Sequence, residues 1–343
     1  MDLVRLEPAG LYCAPGGFYI DPWRPVDRAI ITHAHSDHAS SGHSHYLVSK
    51  ESEHVSRRRV GAAADIQTIA YGEIISINGV RVSLHPAGHV LGSAQIRLEY
   101  GGEVWVVSGD YKLQPDATCS AFEPVTCDTF ITESTFGLPI YRWSAPQKLM
   151  DEVSAWWRAN RDAGRTSVVY AYALGKAQRV LAGVDASIGP IYTHGAVEWL
   201  NDAYRASGVA LPPTQRVSET PRGHVFAGAL IVAPPSAQGT PWLRRFGDYA
   251  DAFASGWMRI RGVRRRRAVD RGFALSDHAD WPGLLTAISA TGAQRVLVTH
   301  GYSEPLVRWL SERGVAAETL QTEFTGEDGS ADAPAEDMPV TVQ

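Results

Sequence analysis

The chain has 343 residues, 44% hydrophobic and 20% charged, with a net charge of −5. That size and composition support a sizeable core in one large or two smaller units, and they exclude a fibrous or wholly disordered protein. The acid excess is local: Glu323, Glu327, Asp328, Asp332, Glu336 and Asp337 end the sequence without a Lys or Arg, and without those six the chain sets 32 basic residues against 31 acidic ones.

Short strand-like runs dominate the first 135 residues. "RAII" precedes "THAHSDH" at 32–38. "EIISI" and "VRVSLHP" flank Asn78-Gly79, a strong two-residue hairpin signal. "AQIRLEY" and "EVWVVSGD" flank Gly101-Gly102 in the same way, and "DTFITES" is a further strand. After Pro139 the texture changes. "SAPQKLMDEVSAWWRANRDAG" has helical periodicity and ends in Gly164. "TSVVYAYAL", "PIYTH" and "GALIVAPPS" read as strands, with "GKAQRVLAGVDAS" as a helix between the first two. This alternation predicts a small α/β unit with a parallel sheet. From about Gly256 strands are expected to resume, in "RAVDRGFALS" and "AQRVLVTHG", followed by the helix "EPLVRWLSERG". The acidic end, rich in Ala and Pro, reads as disordered.

Cys13, Cys119 and Cys127 show no CxxC spacing and fit a reducing compartment. "MDLVRLEPAG" does not read as a signal peptide, and no apolar run is long enough to span a membrane. The expectation is a cytoplasmic protein.

Six strand ends carry His, Asp or Glu: His33, His89, Asp110, Glu133, His278 and His300. Convergence at one sheet edge would let a rigid scaffold present them together. Between residues 33 and 38 lie three imidazoles and an acid, His33, His35, Asp37 and His38. Zinc takes imidazole nitrogen and carboxylate oxygen, and nothing structural requires that concentration of both. The i, i+2 spacing of His33 and His35 suits one metal, and a turn could direct Asp37 and His38 to a second. His89, Asp110 and His300 are available to complete the pair. Two metals about 3.5–4 Å apart would share a hydroxide and clamp a phosphate ester. A lone His or Asp after a strand is usually an ordinary loop residue, so these three gain weight only from the cluster. His43, His45, His54, His85, His194 and His224 are left out of the set, although "GHSH" mimics an HxH pair.

"THAHSDH" (32–38), "PAGHVLGSAQ" (86–95) and "VSGDY" (107–111) resemble the successive metal motifs of the metallo-β-lactamase superfamily. "ITESTFG" (131–137), "LSDHAD" (275–280) and "VTHG" (298–301) resemble three further motifs of its β-CASP nucleases. Within that family, "APPSAQGTPWLRRFGD" (233–248) and "GFALSDHADWPGLL" (272–285) look most like the bacterial DNA ligase-associated exonucleases. The resemblance implies an α/β fold: a metallo-β-lactamase αββα sandwich from residues 1–140 and 256–325, an inserted small α/β β-CASP domain at 141–255, and a tail at 326–343. It implies His33, His35 and His89 on one Zn²⁺, Asp37, His38 and His300 on the other, and Asp110 as the bridge, with Mn²⁺ an alternative metal in the cell. Asp37 and Asp110 would thereby serve catalysis as well as binding. His278 would assist departure of the sugar oxygen while Glu133 holds its imidazole in one tautomer.

Gly175 and Lys176 at a helix start, Ser236 in "PPSAQG" and Ser276 beside His278 are candidate phosphate contacts. The arginines of "RIRGVRRRR", Arg265 and Arg267 among them, read either as a solvated strand face or as a track for phosphate backbone. The expected activity is a metal-dependent DNA exonuclease acting on single strands or free ends in DNA repair, with a functional link to a DNA ligase. A ribonuclease is the alternative, because His300 in the third motif is typical of RNA-processing relatives. A lactonase or thioesterase fits poorly with the insert and with Glu133 and His278, and an inactive binding subunit would be expected to lack ligands.

Overall fold

The computed structural model describes residues 2–323, so the acidic tail expected at 326–343 lies outside the described residues. The first sheet runs in chain order: β1 (Val4–Glu7), β2 (Gly10–Cys13), β3 (Phe18–Ile20), β4 (Arg28–Ile30), β5 (His45–Ser49) and β6 (Ile66–Ile69), with α1 (Glu53–Val60) between the last two. The second opens as an antiparallel meander of β7 (Ile74–Ile77), β8 (Val80–Pro86), β9 (Ala94–Tyr100) and β10 (Glu103–Val107), then adds β11 (Thr129–Ser134) in parallel. Both expected hairpins form. At the first, Asn78 and Gly79 take φ of 49° and 85°, the pair of positive values that matches strand twist.

A third sheet follows, built from β12 (Thr166–Tyr170), β13 (Ile191–Thr193), β14 (Gln215–Arg216), β15 (Leu230–Ala233), β16 (Tyr249–Ala254) and β17 (Arg271–Phe273), every pairing parallel. Its helices are α2 (Pro146–Asp162), α3 (Lys176–Gly183), α4 (Gly195–Ala206) and the short α5 (Arg261–Arg266). The chain then returns to the second sheet through α6 (Trp281–Thr291), β18 (Arg295–Gly301), α7 (Ser303–Ser311) and β19 (Ala316–Thr319).

Period-two alternation decides which faces meet. Val80, Val82 and Leu84 of β8 join Trp105 and Val107 of β10 and Leu297 of β18 in one core with Leu11, Phe18, Ile20, Ile30 and Leu47 of the first sheet. Val106, Phe130, Val296 and Val298 turn the other way, against Leu284 and Ile288 of α6 and Leu306 and Leu310 of α7. The two sheets therefore pack face to face, with helices outside the second. In the third sheet, Val169, Leu230, Val232 and Ala252 face α2 and α3, while Val168, Tyr170, Ile231 and Phe253 form a separate core on the other side.

Two details differ from the sequence expectation. The third sheet does not end near residue 255, because β17 pairs with β16 through Ala252–Arg271, Phe253–Gly272 and Ala254–Phe273. The arginine run is not a strand face: residues 256–259 form a tight helical turn and α5 follows. Arginine is a good helix former, and the run has no apolar alternation to hold it against a sheet. Among the described residues no helix is long and apolar enough to cross a membrane.

Candidate metal centre

The "RAII" run ends where Thr32 donates its backbone N–H to Asp21 Oδ1 at 2.7 Å. Beyond it the chain turns tightly, with Ala39 N–H donating to His35 O at 2.8 Å, so that His33, His35 and His38 look into one space. His89 sits in the turn after β8, whose Ser93 hydroxyl accepts from the His89 and Val90 N–H groups. Asp110 follows β10 through Gly109, at φ +55°, where a Cβ would stand 2.6 Å from Thr32. Only glycine lets these two strand ends approach so closely. Glu133 lies on β11 and His300 on β18. His278 arrives from the third sheet, in the loop between β17 and α6.

His33 Nε2 and His89 Nε2 lie 3.1 and 3.0 Å from His35 Nδ1. The other ring nitrogens fix the protons. His35 Nε2 faces the Leu174 carbonyl at 3.2 Å and His89 Nδ1 faces the Asp277 carbonyl at 2.8 Å. A carbonyl only accepts, so both of those nitrogens carry hydrogen. His33 Nδ1 lies 3.1 Å from the Thr32 hydroxyl, which already donates to Asp21 Oδ2 at 2.5 Å. It therefore donates as well. The three nitrogens that face one another are then all bare acceptors, which repel unless a cation sits between them. Asp110 Oδ2 is 3.5 Å from His33 Nε2 and 3.8 Å from His89 Nε2. His33, His35, His89 and Asp110 keep their ligand atoms within 4.8 Å of one another, and this donor set fits a divalent metal.

Asp110 also reaches the other group: His38 Nε2 lies 3.5 Å from its Oδ2 and His300 Nε2 lies 3.4 Å from its Oδ1. Asp37 Oδ2 is 3.8 Å from His38 Nε2. Asp37, His38 and His300 are thus linked pairwise through Asp110 and His38, less tightly than the first set. The electrostatics call for positive charge here. Burial drives His33 and His89 well below the usual imidazole range, and neighbouring imidazoles push the same way. Burial also opposes charge on His38, but Asp110, Asp37 and Asp21 outweigh it and push that imidazole up to about 10. Burial would raise the Asp110 carboxyl, yet His38, His278 and His300 hold it well below the usual carboxylate range.

Glu133 accepts from the Tyr111 N–H at 2.9 Å, and its two oxygens lie 3.0 and 2.9 Å from His278 Nδ1. Phe136 packs beside this pair with Tyr141, Trp143 and Trp257, each 4.8 Å away between ring centroids. Trp143 Nε1–H donates to the His278 carbonyl at 2.9 Å.

The expected phosphate contacts do not gather here. Gly175 gives its N–H to Gln178 Oε1, and Lys176 is buried with its Nζ 3.2 Å from Asp277 Oδ2. Gly175 also has φ +91°, and a Cβ there would meet Val90 at 2.5 Å, so this helix start packs against the site instead of opening to an anion. The Ser276 hydroxyl accepts from the His278 N–H at 3.1 Å and is buried. Ser236 is exposed in a helical turn after β15. Arg265 is exposed, whereas Arg267 stacks over Phe253 at 4.4 Å.

Sequence reasoning missed three supporting groups. Asp21 Oδ2 accepts from His38 Nδ1 at 2.7 Å, and its signal was another acid at a strand end, in "FYIDP". Asp277 and Arg179 hold the His89 side: Arg179 donates to the Ser276 carbonyl and lies 3.5 Å from Asp277 Oδ1. Most of the histidines left out have partners elsewhere. His43 Nδ1 accepts from the Val26 N–H, His45 Nδ1 lies 2.7 Å from Asp65, and His194 caps α4.

Fold and site together define a mixed α/β protein with a divalent-metal centre at a sheet edge. No family model matches the chain. Over 337 residues, 97% of its length, it is 30% identical to a protein of Opitutus terrae named "Probable DNA ligase", of which it covers 32%. Over 35% of its length it is 33% identical to the endoribonuclease YSH1 of Yarrowia lipolytica and 30% identical to that of Saccharomyces cerevisiae, covering 14% and 15% of those proteins. The chain spans about a third or less of each of these curated relatives. A crystal structure of a protein of unknown function from Enterococcus faecalis shares the fold, with a TM-score of 0.59 at 11% identity over 86% of this chain and 79% of that one. Together these matches support the relation to the β-CASP nucleases of the metallo-β-lactamase superfamily that the sequence motifs resemble.

Proposed function

We propose that this protein is a metal-dependent phosphodiesterase that degrades single-stranded DNA from a free end, within a metallo-β-lactamase sandwich carrying a β-CASP insert. The observation that carries the reading is the meeting of bare His33, His35 and His89 nitrogens over Asp110, beside an imidazole whose Nδ1 is held by Glu133. His33, His35 and His89 would hold one Zn²⁺ and Asp37, His38 and His300 the other, with Asp110 between them. Nitrogen-rich ligation favours zinc, and Mn²⁺ remains the alternative in the cell. Metal bound there supplies Lewis acidity to the phosphodiester and acidifies water. Asp21 keeps the Nδ1 proton on His38, and the Leu174 and Asp277 carbonyls do the same for His35 Nε2 and His89 Nδ1, which aims the ligating nitrogens inward. His278, with one proton fixed by Glu133, delivers a proton to the departing sugar oxygen. The aromatic group around Phe136 limits water at that point.

DNA is preferred because the match to a protein named for DNA ligation runs along nearly the whole chain, which also supports a working link to a ligase in repair. Ribonuclease action is the second reading, favoured by the 124-residue matches to endoribonucleases. Digestion of end-labelled single- and double-stranded DNA and RNA, with and without added Zn²⁺ or Mn²⁺, tests both. Stepwise loss of DNA supports the first reading, faster loss of RNA the second, and no cleavage of either contradicts both.

A further inference from the structure

The run after Gly256 folds into an arginine-lined groove. Around a concavity of about 680 Å³ stand Arg259, Arg261, Arg264, Arg265 and Arg271, all exposed. Among the described residues none of the five forms an ion pair. Glu152 and Asp270 share the lining, but Asp270 Oδ2 accepts from the Asp251 N–H, at 3.3 Å. Five cations against two carboxylates in a concave surface repel one another and focus a positive field. Such an arrangement favours an anion with several charged groups. Guanidinium matches phosphate oxygens in a planar, two-pronged fashion. Arg267 turns out of this set by stacking on Phe253, so the groove takes Arg259, Arg261, Arg264 and Arg265 from the run, adds Arg271 beyond it, and does not use the run as a whole.

A short stretch of chain joins the groove to the metal centre. Phe273 and Ala274 form part of its wall, and the chain continues directly through Ser276 and Asp277 to His278. Four residues span at most about 14 Å. Ser144 lies on the rim next to Trp143, which donates to the His278 carbonyl. A strand whose end is being cut at the metals can therefore reach the groove a few nucleotides away.

We propose that the Arg259–Arg271 groove is a second binding site, for the phosphate backbone of the strand a few nucleotides from the scissile bond. This rests on the nuclease reading for its geometry. The contacts are to phosphate, so the site holds unrelated sequences alike. It makes affinity depend on strand length, with a gain once the strand reaches the arginines.

The test is fluorescence anisotropy on the full chain with its metals, with labelled, cleavage-resistant phosphorothioate single-stranded DNA of about three to about fifteen nucleotides at several salt concentrations. For the unaltered chain, affinity should rise roughly tenfold or more with length. In Arg261→Glu/Arg265→Glu that rise should vanish, and the salt slope should fall by about two, one for each arginine removed. Arg261→Ala/Arg265→Ala, a milder change at two exposed positions, keeps the test open if the reversed pair folds poorly. A variant that keeps the length-dependent gain and the salt slope overturns the proposal. So does a mononucleotide that competes as strongly as the long strand. If the chain cuts no nucleic acid while the variants still lose strand binding, the nuclease reading fails and the groove stands. If it cuts and the variants bind as before, the groove fails alone.

Discussion

The Asp277 backbone carbonyl accepts the Nδ1 proton of His89 at 2.8 Å, across 188 positions of sequence. The Asp277 carboxylate is itself buried between Lys176 Nζ at 3.2 Å and Arg179 Nη1 at 3.5 Å. The α3 end of the third sheet thereby holds one imidazole of the metal centre, and the Leu174 carbonyl just before α3 holds another, on His35.

Removing the acid from that pair leaves buried cations without their counter-charge. Asp277→Ala should cost about 3–5 kcal/mol in chemical unfolding, while Lys176→Met in the same chain should return part of that loss. With the His89 carbonyl partner displaced, metal affinity should drop by roughly 10- to 100-fold in a chelator competition. Unchanged stability and unchanged metal affinity in Asp277→Ala would show that the pair supports nothing at the site.

His278 separates two chemical roles. Asp110, Glu133 and His278 also lie close enough together to bind an ion by themselves. If His278 acts on the leaving oxygen, His278→Ala should keep its bound metal and lose roughly 100-fold or more in rate. Glu133→Gln should lose rate in the same direction, because the Nδ1 proton is no longer pinned by a carboxylate. Metal analysis of the purified variants decides the matter, and metal lost from His278→Ala would make His278 a ligand.

Acid should loosen the contact between the third sheet and the rest. Burial would raise the Asp116 carboxyl, but Lys112 at 2.5 Å and Arg179 at 3.3 Å outweigh it and hold it below its usual 3.8. A folded-state value below the unfolded one adds stability above the unfolded value, and that stability is lost as pH falls through the folded one. Thermal stability should therefore fall from about pH 5 downward. Asp116→Asn should be less stable by about 3–5 kcal/mol near neutrality, with the gap closing in acid. A gap that stays constant with pH would remove Asp116 from this account.

The parts of this fold that were legible are the locally encoded ones. Asn78-Gly79 and Gly101-Gly102 sit between alternating runs, and period two alone assigns Val82 and Trp105 to the shared core. The cluster from His33 to His38 stood out because so many metal-binding groups lie within one turn. Less visible was α6, although Asp280 caps it by accepting from the Gly283 N–H and Pro282 stands in its first turn. Asp21 showed only as one more acid at a strand end, and the Asp277–Lys176 pair could not be read from pattern at all. Their partners are distant in sequence, and a buried ion pair looks like any two charges until the chain folds. The same holds for Arg267, whose aromatic partner Phe253 lies on β16.

Under the proposed function, Asp110 would hold two metals together, and these would supply the Lewis acidity for removing nucleotides from the ends of single-stranded DNA. The most direct measurement is a time course on end-labelled linear DNA, circular single-stranded DNA and RNA of the same sequence, using wild type and Asp110→Ala of known metal content. The expected result is stepwise loss of linear DNA by wild type, a circle cut much more slowly, and an Asp110→Ala variant depleted of metal and inactive on all three. Asp110→Ala with two metals and normal turnover would contradict the bridge, and a circle cut as fast as linear DNA would contradict end-directed action.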